Sequence, residues 1–148
     1  MKTLRTGITS VCFALVALVG LGTLAGGCKQ DSGAVKAVQL GDAVTLKIND
    51  AAKVGEELLV TFKAVTGDSR CPQGTQCVTA GDATVVLTVK AGEKAEDLTV
   101  KVGAAAENKI RTEPFMIRIL KLDPYPTEGT TIQDAERAIE LRVDRTAE

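Results

Sequence analysis

The sequence predicts an all-β domain, a small immunoglobulin-like β-sandwich or a barrel, behind an N-terminal signal segment. Three observations carry that expectation. Beyond Cys28, apolar and polar residues alternate with a period of two in a series of short runs, the pattern of strands with one face in a core and one in water. Clusters of Gly, Asn, Asp and Ser separate the runs and supply the turns. No long run at helical spacing interrupts them, and six or seven short strands without helices make a sandwich or barrel.

In chain order, Val38, Leu40, Val44, Leu46 and Ile48 share one parity, with Thr45 and Lys47 on the other. After a turn cluster from Asn49 to Gly55, Leu58, Val60, Phe62 and Ala64 alternate with Thr61 and Lys63. Gly67-Asp68-Ser69 and Gly81-Asp82 bracket a connection to Ala83, Val85, Leu87 and Val89, which alternate with Thr84, Thr88 and Lys90. Ala91-Gly92-Glu93-Lys94 turns the chain into Leu98, Val100 and Val102, spaced by Thr99 and Lys101.

Phe115, Ile117 and Ile119 hold one parity, whereas Leu120 and Leu122 take the other. A bulge, or a central strand buried on both faces, accounts for such a switch. Asp123-Pro124-Tyr125-Pro126 ends the run, because proline lacks the ladder donor. The last segment has two patterns. Ile139, Leu141 and Val143 alternate as a strand, while Ile132, Ala135, Ile139 and Val143 fit a helix. The strand, Arg137 to Asp144, is preferred because its neighbours are strands that need partners; a helical turn is expected near Gln133–Glu136.

The first 27 residues differ from the rest. Lys2 and Arg5 are followed by an uncharged stretch from Gly7 to Gly27, which ends Leu24-Ala25-Gly26-Gly27-Cys28. A positive start, an apolar middle and a small-residue exit compose a secretory signal. With cysteine at the exit, it resembles the bacterial lipoprotein signal. That resemblance implies cleavage before Cys28 and acylation of Cys28. An uncleaved anchor competes, since about 20 apolar residues span a bilayer, and so does a simple secretory signal. The glycines between Gly20 and Gly27 weigh against a spanning helix, at about 1 kcal/mol each. Residues 28–37 then read as a flexible tether and 38–148 as the sandwich domain. Lys29 after Cys28 resembles outer-membrane sorting, facing the periplasm, in a Gram-negative cell.

Composition narrows function. Of 18 basic residues two lie in the leader, against 19 acids beyond it, so the domain is weakly acidic and offers nucleic acid no basic patch. Histidine is absent, which removes the Ser-His and Cys-His arrangements and the commonest metal ligand. Tryptophan is also absent, and Phe62, Phe115 and Tyr125 are the aromatics beyond Cys28. No cofactor and no metal set is indicated.

Cys71 and Cys77 are the remaining cysteines beyond Cys28. In an exported domain such a pair makes a disulfide; the spacing is not C-x-x-C, and metal binding needs further soft ligands. The surrounding motif is Asp68-Ser69-Arg70-Cys71-Pro72, then Cys77, then Gly81-Asp82-Ala83. Asp68 and Ser69 suit a turn, and Arg70 offers a planar fork for Asp68, Asp82 or loop carbonyls. Either the motif staples two strands, or Asp68, Arg70, Pro72, Gln73 and Gln76 belong to a preorganised binding loop.

Through this motif, and through Leu122-Asp123-Pro124-Tyr125-Pro126 followed by a final strand, the chain resembles a group of secreted and lipoprotein-type bacterial proteins with a DSRCP…C…G.A.V.L signature. The group has no assigned activity; it implies export and a similar β-domain. Where the group usually places an aromatic after the second cysteine, this chain has Val78-Thr79-Ala80.

These readings favour a membrane-anchored, non-enzymatic envelope module that binds an envelope protein or has a structural role. The alternative is a protease inhibitor presenting residues 70–77, with an exposed Arg70 for a trypsin-like pocket. A hydrolase using carboxylates alone ranks third, because it needs two facing carboxylates in a cleft.

Overall fold

The computed structural model describes residues 33–146. The signal segment, Cys28 and residues 29–32 of the expected tether lie outside that range.

The alternating runs form strands, and the strands form two sheets. In chain order they are β1 (Val35–Val38), β2 (Ala43–Lys47), β3 (Ala51–Val54), β4 (Leu58–Asp68), β5 (Ala83–Ala91), β6 (Lys94–Val102), β7 (Lys109–Thr112), β8 (Phe115–Asp123) and β9 (Ala138–Arg145). One sheet has the order β1-β3-β4-β5-β6 and the other β2-β9-β8-β7. Among the strands of the described residues, β1 and β3 alone pair in parallel. The sheets pack face to face as a sandwich and do not close into a barrel. Two meanders, β3 to β6 and β7 to β9, make up most of the wiring.

Each sheet contributes one parity to the core. Leu58, Val60 and Phe62 of β4 and Val85 and Leu87 of β5 are buried, as are Ile117 and Ile119 of β8 and Ile139 and Leu141 of β9. Each such side chain taken from water stabilises by about 1.5–3 kcal/mol. The parity switch in β8 is a bulge. Its pairing with β9 shifts register between Ile119 and Lys121, so Leu120 turns outward at 44% exposure while Leu122 returns to the core. The 3-10 turn Asp134–Glu136 precedes β9, closed by the Glu136 side chain accepting from the Gln133 N–H at 2.8 Å.

Four boundaries differ from the sequence reading. The run from Val38 to Ile48 is two strands, β1 and β2, in different sheets, divided by a turn at Gln39–Asp42. The strand β1 begins at Val35, so the expected tether loses Val35, Lys36 and Ala37 to the domain. Val35 is 63% exposed, which is why no alternation marks that edge. The cluster from Asn49 to Gly55 contains β3, whose Ala51 and Ala52 are buried; alanine has weak strand propensity and gave no signal. The short, charged edge strand β7 was likewise not visible.

Register collects the functional candidates at one end. Asp68 pairs with Ala83, Ala83 with Val102, and Asp123 with Ala138. This end carries the disulfide connection between β4 and β5.

A disulfide-capped hairpin tip as candidate functional site

The segment between β4 and β5 is an extension of their hairpin. The Ser69 N–H donates to the Asp82 carbonyl at 2.8 Å and the Cys71 N–H to the Ala80 carbonyl at 2.9 Å, continuing the ladder past Asp68. The Ser69 hydroxyl also donates to the Asp82 carbonyl, at 2.8 Å, and accepts from the Asp82 N–H at 3.2 Å. Gly81 sits where no other residue fits. Its φ is +64°, and a Cβ would lie 1.8 Å from the Ser69 carbonyl oxygen.

The disulfide closes the tip as expected, joining Cys71 to Cys77 with Cα atoms 5.9 Å apart. Inside the ring the Thr75 hydroxyl donates to the Pro72 carbonyl at 2.7 Å. The Gln73 N–H donates to the Pro126 carbonyl at 2.9 Å, and Gln73 and Thr127 form a parallel bridge. The tip is thereby fixed to the Pro-Tyr-Pro segment after β8.

Beneath the tip lies the strongest polar network among the described residues. Arg70 is only 6% exposed. Its Nε and Nη2 donate to the two oxygens of Asp68 at 2.8 Å each, the bidentate geometry that arginine favours. Nη1 donates to the Leu122 carbonyl at 2.7 Å and Nη2 to the Pro124 carbonyl at 3.0 Å. The guanidinium also lies 5.0 Å from the centroid of the Tyr125 ring, within cation–π range. Arg137 donates from Nη1 to Asp68 at 3.1 Å. Burial pushes the Asp68 carboxyl up, but hydrogen bonds from Arg70 and Arg137 outweigh it and hold the group below the ordinary carboxylate range.

This placement corrects one expectation. Arg70 is not exposed for a protease pocket; it is buried, because a guanidinium with four hydrogen bonds to the fold is stable out of water where a lone one is not. Asp68 is committed to the same network. Of the remaining loop residues, Gln73 and Gln76 are exposed and Pro72 is half-buried. Val78, just past the ring, is fully exposed at 105%. Sequence reasoning missed Arg137 and the Leu122 and Pro124 carbonyls, since nothing local connects them to Arg70. The two prolines that flank Tyr125 are the sequence signal of a fixed aromatic there.

Asp82 is bound by Lys101 at 3.1 Å, Asp68 by two arginines. Among the described residues no group of three His, Cys, Asp or Glu side chains is placed to hold a metal ion. A groove of about 450 Å³ runs beside the tip, lined by Gln73, Ala80, Val102, Leu120 and Tyr125 among others.

No protein family, curated protein or solved structure matches this chain.

Proposed function

We propose that the chain is a lipid-anchored bacterial envelope protein, acylated at Cys28, whose sandwich catalyses no reaction and acts by presenting the disulfide tip as a rigid contact surface. The observation that carries this reading is the network of Asp68, Arg70 and Arg137, which ties the tip's root to β8 and β9. A preorganised loop loses less entropy on contact. Within the motif, Asp68 and Arg70 clamp each other and Cys71 follows at once. Asp68, Asp82 and Ser69, the polar residues of the tip motif, are used within the fold, which supports a non-enzymatic role for the tip over a carboxylate hydrolase.

The test has two parts. Mass spectrometry of the N-terminal peptide from the membrane fraction is expected to find acylated Cys28, with acylation lost in Cys28→Ser. Cross-linking in cells through a photoreactive group at Gln76 is expected to give adducts that a Cys71→Ser/Cys77→Ser variant loses. Hydrolytic turnover that depends on Asp68, Asp82 or Ser69 would overturn the reading.

A further inference from the structure

Among the described residues the two sheets end in the edge strands β1, β6, β2 and β7. Three of them, β1, β2 and β7, are four or five residues long, the short kind of edge that offers a second chain little to pair with. The strand β6 differs. It runs for nine residues, pairs with β5 without a register shift and contains neither proline nor glycine.

Its pairing with β5 decides which backbone groups are free. The two-residue turn Gly92-Glu93 closes on Ala91 and Lys94, and the residues flanking such a turn exchange both hydrogen bonds. Alternation then commits Glu96, Leu98, Val100 and Val102 to β5, and turns the N–H and C=O of Ala95, Asp97, Thr99 and Lys101 away from the sheet. No other backbone group among the described residues bonds them, and all four residues are exposed. Beyond Gly103 the chain crosses to the other sheet, where the Asn108 carbonyl accepts from the Ile119 N–H at 2.8 Å. An open hollow of about 570 Å³ lies beside Thr99 and Lys101.

Side chains select the occupant. Charged residues ordinarily blunt an edge, but here their order makes it self-complementary. When two copies of β6 are laid antiparallel about Thr99, the residues that exchange hydrogen bonds are the four whose groups are free. On the outer face Thr99 then meets Thr99 and each Asp97 meets a Lys101; on the inner face each half-buried Leu98 meets a Val100. Opposed unlike charges, Thr–Thr pairs and aliphatic pairs all stabilise a ladder, whereas like charges oppose it. Shifting the pairing by two residues either way loses both charge pairs, and by four sets Asp97 against Asp97 or Lys101 against Lys101. Within one copy Asp97 already meets Lys63, and Lys101 meets Asp82, so the pairing extends an alternating row of charges across the junction. Glu96, at the lip of the inner face, keeps its ion pair with Lys94 at 3.2 Å.

We infer that two copies of this chain pair edge to edge through β6, antiparallel about a two-fold axis at Thr99, so that their five-stranded sheets become one continuous sheet. Such an interface is isologous, each copy giving the same patch, and it needs neither the acylation of Cys28 nor the disulfide tip. The test uses the full-length protein in cells. Thr99→Cys places one thiol beside the axis, where paired Cα atoms lie about 5.5 Å apart, within disulfide range. Mild oxidation is expected to give several-fold more covalent dimer than Thr45→Cys on the edge strand β2, with the link located at position 99 by peptide mass spectrometry. In the Thr99→Cys background, Asp97→Lys or Lys101→Asp alone should lower the dimer several-fold, and the two reversals together should restore it. Dimer no more abundant than from Thr45→Cys would overturn the pairing. Equal yields from all the charge variants, or a double reversal that restores nothing, would overturn the register about Thr99.

Discussion

Replacing Arg70 with leucine leaves Asp68 against Arg137 alone and strips the Leu122 and Pro124 carbonyls of their donor. Removing one partner of a buried pair costs about 3–5 kcal/mol, and the remaining Arg137 contact places the expected loss near about 3 kcal/mol, read by urea unfolding. Arg70→Lys should recover little, since a single ammonium cannot serve Asp68 on both oxygens and two carbonyls at once. Acid titration isolates Asp68. Its folded pKa lies below the ordinary range, and below its unfolded value of about 3.9. It therefore contributes stability that is present above the unfolded pKa and lost as pH falls through the folded one. Wild-type protein should lose stability on acidification from about pH 5. Asp68→Asn, less stable at neutral pH, should fall more gently and keep the part due to Asp50, whose carboxyl is also held low: burial raises it, but backbone donors at Lys47 and Ala34 and the Lys36 side chain prevail. Parallel curves for the two proteins would contradict this.

The hairpin β4–β5 and its tip can be weakened in two separable ways. Cys71→Ser/Cys77→Ser reopens a small ring and should cost about 2 kcal/mol in the chain-entropy account. The far-UV circular dichroism should be kept, because the Ser69 and Cys71 ladder bonds and the Arg70 network do not need the sulfurs. Gly81→Ala differs in kind. It strains a positive φ and drives a methyl into the Ser69 carbonyl, so the ladder must open; a drop larger than the about 1–3 kcal/mol of backbone strain alone is expected by thermal unfolding. At this scale the sequence was readable where alternation was long. The strands β4, β5 and β8, including the bulge after Ile119, showed in the order of apolar residues. The strands β1, β3 and β7 did not: Val35, Ala51 with Ala52, and Lys109 to Thr112 are too short or too exposed for a period to emerge.

For the whole molecule the two sheets share one core, in which Phe62 packs with Ile117 and Leu141 in a single cluster. Phe62→Ala should cost about 3–5 kcal/mol, and calorimetry should still show one transition; two would mean that the sheets unfold separately.

By itself the sequence determined an all-β fold of sandwich or barrel type, the turn chemistry that opens at Asn49-Asp50, the strand after Arg137 and the pairing of Cys71 with Cys77. Each depends on neighbours two residues apart, on turn chemistry, or on a choice between two remaining thiols. Only the tertiary structure decided the fate of Arg70. Its carbonyl partners lie 52 and 54 residues away, and Arg137 meets Asp68 across 69. A guanidinium is buried or exposed according to whether enough acceptors converge on it, and here sheet stacking brings them together.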